Sequence, residues 1–362
     1  MTIDFALPAD LSAVEPAEAR AAGRDDVALM VSRRAAGAIS HHAFADLPGL
    51  LLPGDLVVVN TSGTLPAAVS AGEGLAVHFS TAMPDGYWLI ELRTVQGTST
   101  APYPGGLAGQ RINLPGGARL TLAARFTARL WRASLSTAVL PYLLRHGTPI
   151  RYSYVERSWP AQAYQTVFAE RPGSAEMPSA SRPFTEQIVT RLVTRGVTLA
   201  PLTLHTGVSS LEGDEDPYPE YCEVPPATAR LVNLTHRSGG RVIAAGTTVV
   251  RALESAALES AALESMAPES AAPGSAAPGS AAPASAAGDV TAFAGWTEHV
   301  VTPGTGVRAV DGLLTGLHEP RSSHLRMLAA FAGEDLLRHC YVAALEHRYL
   351  WHEFGDVHLL LP

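Results

Sequence analysis

The chain alternates short, apolar, β-branched runs with segments of helical period, and that alternation confines it to an α/β architecture. Leu56-Val57-Val58-Val59 reads as a buried strand that ends in Asn60-Thr61-Ser62. A helix is predicted over 185–195, with Ile188, Leu192 and Val193 on one face and Thr185 as its cap. Gly196 ends that helix, and 197–204 is the next strand. A helix over 231–238, a strand over 241–245 and a helix from Thr248 repeat the unit, and 325–348 is helical with a break near Gly333. This order predicts a mostly parallel sheet. Between 66 and 149 the pattern changes to short alternating runs, such as Leu75-Ala76-Val77-His78-Phe79, separated by Pro104-Gly105-Gly106 and Pro115-Gly116-Gly117. Such spacing predicts a small antiparallel β-barrel. The expected organisation is an α/β domain of 1–65 plus 150–362, with a β-barrel domain of 66–149 inserted into it.

With 362 residues, 47% apolar and 17% charged, the chain has material for about two domains with buried cores. No apolar run reaches the roughly 18 residues a membrane helix needs. The first residues lack the basic and apolar regions of a signal peptide, so the expectation is a soluble, cytoplasmic protein with no membrane partner. Cys222 and Cys340 cannot form a disulfide framework. All 26 basic residues are arginine, which excludes a Schiff-base lysine and a phosphate-loop lysine. The net charge of −8 argues against a large nucleic-acid footprint but permits a local arginine patch. Arg125, Arg129, Arg132, Arg145 and Arg151 are the candidates for one, and they also fit an ordinary solvated face. From 252 to 287 the repeats run Leu-Glu-Ser-Ala-Ala and then Ala-Ala-Pro-Gly-Ser. The first half favours helix. The second, about 266–288, has nothing to bury and reads as a disordered surface insertion.

In open α/β sheets, ligands bind beyond the carboxyl ends of the strands. Gly246-Thr247-Thr248 follows one strand at the mouth of a helix, with Arg251 about one turn inside. Free N–H groups at a helix start favour an anion, and a glycine lets backbone approach it closely. An ordinary helix cap with Arg251 in solvent fits the same residues. His205, between Thr203-Leu204 and Thr206-Gly207, ends a second strand; it suits an acid/base role or a purely structural one. His318-Glu319-Pro320-Arg321-Ser322-Ser323-His324 lacks the spacing of a zinc-protease motif, so no metal is expected. No Gly-x-Gly-x-x-Gly follows a strand, which argues against a Rossmann methyltransferase.

These fragments fall in an order that resembles the S-adenosylmethionine:tRNA ribosyltransferase-isomerase family of queuosine synthesis along nearly the whole chain. Pro53-Gly54-Asp55 leading through the strand to Asn60 is similar to the family's Pro-Gly-Asp strand. Tyr164-Gln165-Thr166-Val167-Phe168-Ala169, Thr203-Leu204-His205 with Gly207, and Gly246-Thr247-Thr248 with Arg251, Leu253 and Glu254 match further motifs. So do Glu220, Asp311-Gly312-Leu313, Thr315, His318, Pro320, Ser322 and Gly355-Asp356. The resemblance implies a barrel-like α/β domain with a small antiparallel β-barrel inserted. It implies S-adenosylmethionine as ribosyl donor and co-substrate, with no separate cofactor and no metal. A 7-aminomethyl-7-deazaguanine in tRNA accepts the ribosyl group, which isomerises to give epoxyqueuosine while adenine and methionine leave. By the same resemblance, His205, His318 and Asp356 are the catalytic candidates. Asn60, Tyr164, Gln165, Thr166, Gly207, Glu220, Gly246, Thr247, Thr248, Arg251 and Ser322 are the substrate-binding candidates.

Several positions depart from the family. Its Pro-Thr-Ala-Gly-Leu-His-Phe-Thr is Pro178-Ser179-Ala180-Ser181-Arg182-Pro183-Phe184-Thr185 here, so a histidine is Pro183. Two arginines are Gly63 and Ala68, two histidines are Glu215 and Tyr218, and Ser209-Ser210-Leu211 and Gly316 also differ. The alternatives to the family reaction are a paralogue with a small-molecule acceptor and a binding protein without catalysis. Deleting 268–287 is expected to leave adenine release from S-adenosylmethionine nearly intact; a large loss would show that the insertion acts in the reaction.

Overall fold

A computed structural model of the chain describes residues 4–97, 99–155, 157–208, 218–266 and 288–362. Ser209-Ser210-Leu211, Glu215 and the repeats beyond 266 lie outside the described residues. The larger sheet has nine strands, in the order Phe293–Thr297, Glu220–Val224, Thr198–Leu204, Leu56–Asn60, Val242–Ala245, Gly312–Gly316, Val357–Leu361, Ala28–Arg33, Ala38–Ala43. Its centre is parallel, from Thr198–Leu204 across to Gly312–Gly316. The pairings toward the edges are antiparallel, apart from Val357–Leu361 on Ala28–Arg33. The sheet is therefore mixed, where the sequence predicts a mostly parallel one. Glu220–Val224 pairs antiparallel with Thr198–Leu204, with no helix between them among the described residues, and Phe293–Thr297 pairs antiparallel with Glu220–Val224 after Pro226–Arg237, Val242–Ala245 and Thr247–Met266, so neither extends the sheet by a parallel βαβ unit.

Pairing within the central strands is buried on both faces, so they read as continuous apolar runs. Leu56 and Val58 face a core with Leu202, Leu204, Ala244, Val249, Leu253, Leu328 and Tyr341. Val57 and Val59 face the opposite core with Leu29, Val31, Phe44, Phe184, Ile188 and Leu192. Helices Pro226–Arg237, Thr247–Met266, Ser323–Ala332 and Glu334–Glu346 cover the first face, and Glu186–Thr194 covers the second. Thr185 caps the last of these, its side chain accepting from the Ile188 N–H. Gly333, at φ +76°, separates the two helices of the predicted 325–348 segment.

The second sheet, of seven strands between Ala68 and Leu135, is antiparallel and barrel-like. It holds its own core of Val77, Phe79, Leu89, Ile90, Leu120, Leu122, Leu130 and Trp131. A two-stranded parallel ribbon, Ser62–Thr64 with Arg171–Ser174, lies in the chain where it enters and leaves this sheet. Among the described residues, no helix is long and apolar enough to cross a membrane.

The first central strand starts from a fixed corner. Gly54 adopts φ +91°, which an L side chain resists. Asp55, 2% exposed, accepts from the Leu52 N–H at 2.8 Å and from the Arg241 Nε at 3.0 Å. The corner thereby ties Leu56–Asn60 to the start of its neighbour Val242–Ala245. Asp55→Ala would leave the guanidinium without its counter-charge, and is expected to cost about 3 kcal/mol in urea unfolding. A loss under about 1 kcal/mol would show that the corner is dispensable.

Candidate functional site

The strand ends Asn60, Leu204, Ala245 and Gly316 all point one way in the parallel centre, and the cavity sits beyond them. It has a volume of about 270 Å³. Thr206-Gly207-Val208, Gly246-Thr247-Thr248 and Thr315 to Glu319 continue from three of these strands into its wall. The segments Glu176 to Ala180, His299 to Val301 and Ser322 to His324 complete it, with His352-Glu353 and, from the second sheet, Thr81.

Of the residues expected from sequence, Gly207, Glu220, Gly246, Thr247, Thr248, Arg251, His318 and Ser322 line this cavity together. Gly246 adopts φ +108° between strand and helix, a conformation that requires its missing Cβ. Gly207 is closely packed: a Cβ there would sit 2.8 Å from Ser80 Oγ and 3.0 Å from Thr81 Oγ1, so those hydroxyls would have to move. Arg251 does not lie in solvent. Its guanidinium donates to Glu220 and to the carbonyls of Tyr218, Thr297 and His299. Glu220 in turn accepts from the Gly207 N–H at 2.9 Å. The pair holds the glycine strand-end in place, so most of Arg251's donors face the protein. Ser322 caps Ser323–Ala332, accepting from the His324 N–H.

The remaining expected residues stand outside the cavity lining. His205, half-buried, has its Nδ1 2.7 Å from Ser62 Oγ and its ring against Tyr221; burial, then Arg171, holds its pKa below the usual histidine value. The cavity lining begins at the next residue, Thr206. Asn60 is fully buried, bonded to Leu204, Ser62 and Thr248. Tyr164 packs on Phe354. Gln165 brackets Thr64 with its side-chain amide, accepting from the N–H at 3.0 Å and donating to the carbonyl at 2.7 Å. The Thr166 hydroxyl accepts from Phe168 N–H. Asp356 accepts from the N–H groups of Ala28 and Leu350 at 2.7 and 2.6 Å. These six shape the frame from behind.

Among the altered positions, Tyr218 and Gly316 line the cavity, whereas Gly63, Ala68 and Pro183 do not. Three of the five arginines considered for a nucleic-acid patch are engaged within the protein. Arg125 donates to the Ala128 and Pro104 carbonyls, Arg129 pairs with Glu91, and Arg132 pairs with Asp85. Among the described residues, no cluster of three or more metal-ligating side chains forms.

The cavity also contains groups outside the expected catalytic and binding set. His324 stacks on His318, with centroids 4.4 Å apart and planes 2° from parallel. His318 Nε2 lies 2.9 Å from Thr315 Oγ1. Burial, then the neighbouring His324, keeps His318 well below the usual histidine pKa; burial holds His324 at about 4. Both rings are therefore neutral at neutral pH. Glu176 and Glu353 line another part of the wall with Tyr152, Tyr154 and His352. Burial, reinforced by Glu176, pushes Glu353 up to about 8, against the partial pull of Arg182. The sequence marked Phe354-Gly355-Asp356 next door, but nothing local signals that Glu353 is shielded from water and faces a second acid.

A model of the queuosine biosynthesis protein family matches residues 1–360. The S-adenosylmethionine:tRNA ribosyltransferase-isomerases of Acidiphilium cryptum and Symbiobacterium thermophilum are 33% and 32% identical to the chain, covering 99% of it and 97% and 98% of their own lengths. A crystal structure of the S-adenosylmethionine tRNA ribosyltransferase of Thermotoga maritima, 25% identical, matches 99% of each chain with a TM-score of 0.52.

Glu353 gives the site a measurable pH signature. Its folded pKa of about 8 exceeds the ordinary 4.5, so between those values the folded state binds the extra proton. The stabilisation is complete below about 4.5 and disappears as pH rises through about 8. Glu353→Gln removes this dependence. Relative to the wild type, the variant is expected to gain at least about 1.4 kcal/mol between pH 5 and 8 in urea unfolding. Parallel pH profiles for the two proteins would refute the assignment.

Proposed function

The chain belongs to the queuosine biosynthesis protein family, and we propose that it transfers and isomerises the ribosyl moiety of S-adenosylmethionine onto 7-aminomethyl-7-deazaguanine in tRNA. The products are epoxyqueuosine in tRNA, adenine and methionine. Support comes from one conjunction: relatives named S-adenosylmethionine:tRNA ribosyltransferase-isomerase match over nearly their full length, and the family's glycine-hydroxyl motif, Gly207 and His318 meet in one cavity. The acceptors considered as alternatives have no comparable support. S-adenosylmethionine serves as co-substrate, and no separate cofactor is invoked.

The reaction needs a group that takes a proton from the ribose carbon beside the sulfonium and groups that assist adenine departure. His318 is the acid/base candidate that reaches the cavity, and its neutral imidazole is ready to accept a proton at neutral pH. The mouth of Thr247–Met266 suits a carboxylate, because the first N–H groups of a helix lack intrahelical partners. Arg251 adds positive charge behind that mouth while fixing Gly207 through Glu220. His205, bonded to Ser62 behind the wall, acts on the position of Thr206-Gly207.

The test follows adenine and methionine released from S-adenosylmethionine, with and without tRNA bearing the 7-aminomethyl base. Release that requires this tRNA is expected; release without it would overturn the acceptor. His318→Ala should lower release by roughly 10²–10⁴, the usual value of a positioned acid/base. His205→Ala should lower it less, and the opposite ranking would move the proton transfer to His205.

A further inference from the structure

The reaction as proposed leaves one part of the cavity wall without a task. Tyr152 and Tyr154 stack at 5.5 Å, and Tyr154 stacks on His352 at 4.0 Å. Glu176, Glu353 and Glu319 are set among these rings. Oε1 of Glu353 is shielded from water and has no hydrogen-bond partner among the described residues. A buried carboxylate oxygen left in this way is costly unless something pairs with it. The groups that face it are Glu176, Arg182, Tyr152, Tyr154 and Tyr164. The guanidinium of Arg182 donates to both carboxylate oxygens of Glu18 at 2.9 Å and to the Ala163 carbonyl, so it is committed elsewhere. The tyrosines stay neutral, their pKa values pushed further up by burial.

Electron-rich rings around an unpaired acid suit a positive charge. We infer that Glu353, with Glu176 beside it, binds the cationic group of the substrate, a sulfonium or a primary ammonium, and releases its proton as that group enters. The inference rests on the proposed reaction, whose donor carries a sulfonium and an amino-acid ammonium and whose acceptor carries an aminomethyl group. The proton release follows from linkage. Glu353 enters the complex protonated at neutral pH, and a cation alongside favours the carboxylate, so the proton passes to buffer. His352, whose ring burial keeps near pKa 4, and Glu319, pushed up by burial, complete the titratable groups of this corner.

Isothermal titration calorimetry of the full chain at pH 7, in phosphate and in Tris, counts the protons released. S-adenosylmethionine is compared with S-adenosylhomocysteine, its uncharged thioether, and then free 7-aminomethyl-7-deazaguanine is added to the thioether complex. If the sulfonium is the bound group, S-adenosylmethionine releases up to one proton and binds at least tenfold tighter than the thioether. Release with both nucleosides assigns the corner to their shared ammonium. Release only with the aminomethyl base assigns it to the acceptor. In each case Glu353→Gln should abolish the release, while Glu176→Gln should move it to lower pH. S-adenosylmethionine that binds without proton release in any arm, and with equal affinity to Glu353→Gln, would overturn this inference alone. Failure of S-adenosylmethionine to bind the wild type would overturn the proposed reaction as well.

Discussion

The Asn60 side chain is the junction on which the cavity depends. Its amide has two acceptor and two donor positions. Oδ1 accepts from the N–H groups of Ser62 and Leu204, both at 3.0 Å, while Nδ2 donates to the Leu204 carbonyl at 2.9 Å and to Thr248 Oγ1 at 3.3 Å. All four positions are thus used, in a residue with no exposure to water. The contacts fasten two neighbouring parallel strand ends to each other and to the first turn of Thr247–Met266. Main-chain pairing alone stops at the strand ends, where the loops diverge. A side chain that bonds both divergent loops fixes the floor of the cavity at that point.

From this floor the constraints spread outward in layers. Thr61 Oγ1 meets Thr203 Oγ1 at 2.9 Å, and Ser62 Oγ links Ser174 and His205 at 2.6 and 2.7 Å. Gly173 leaves room for that histidine ring, which a Cβ would meet at 2.3 Å. The Glu220–Arg251 pair performs the same service on the other flank, joining Gly207 to the helix. Polar networks of this kind are costly when half satisfied and rigid when complete. The wall groups that would meet a ligand are therefore backed by partners rather than by loose loop.

The elements were legible in the sequence because the central strands bury both faces and the helices carry period and caps. Thr185 and the Gly246 corner stand where the residues placed them. The strand directions at the edges were less legible, because Glu220–Val224 follows its neighbour without the helical crossover that announces a parallel strand, while Phe293–Thr297 returns to that edge antiparallel after two helices and a strand. Within the site, the motifs do not separate residues that face the cavity from residues that hold it. Asn60, Gln165 and Asp356 belong to matched motifs just as Thr247 and His318 do, yet their polar groups are taken up by partners within the protein, chiefly backbone N–H and carbonyl groups. Glu176 and Glu353 carry no motif at all, and His324 enters only as the end of a string without metal spacing. Their properties arise only when distant segments bring an acid against an acid and a ring against a ring.

The second sheet meets this system closely at Ser80 and Thr81. Ser80 Oγ accepts from the Val208 N–H at 3.0 Å, and Ser80 and Thr81 crowd Gly207 so tightly that a Cβ would clash. Gly207 is the residue that Glu220 grips from the opposite side. A displacement of the Ser80–Thr81 edge would therefore press directly on the Gly207 peptide, and through Glu220 on Arg251 and the helix mouth. Thr81 itself lines the cavity, so any molecule filling it touches both sheets. The glycine is small enough to let the two sheets meet and is hydrogen-bonded to only one of them. The Gly207 peptide is thus a point at which the cavity wall meets both sheets.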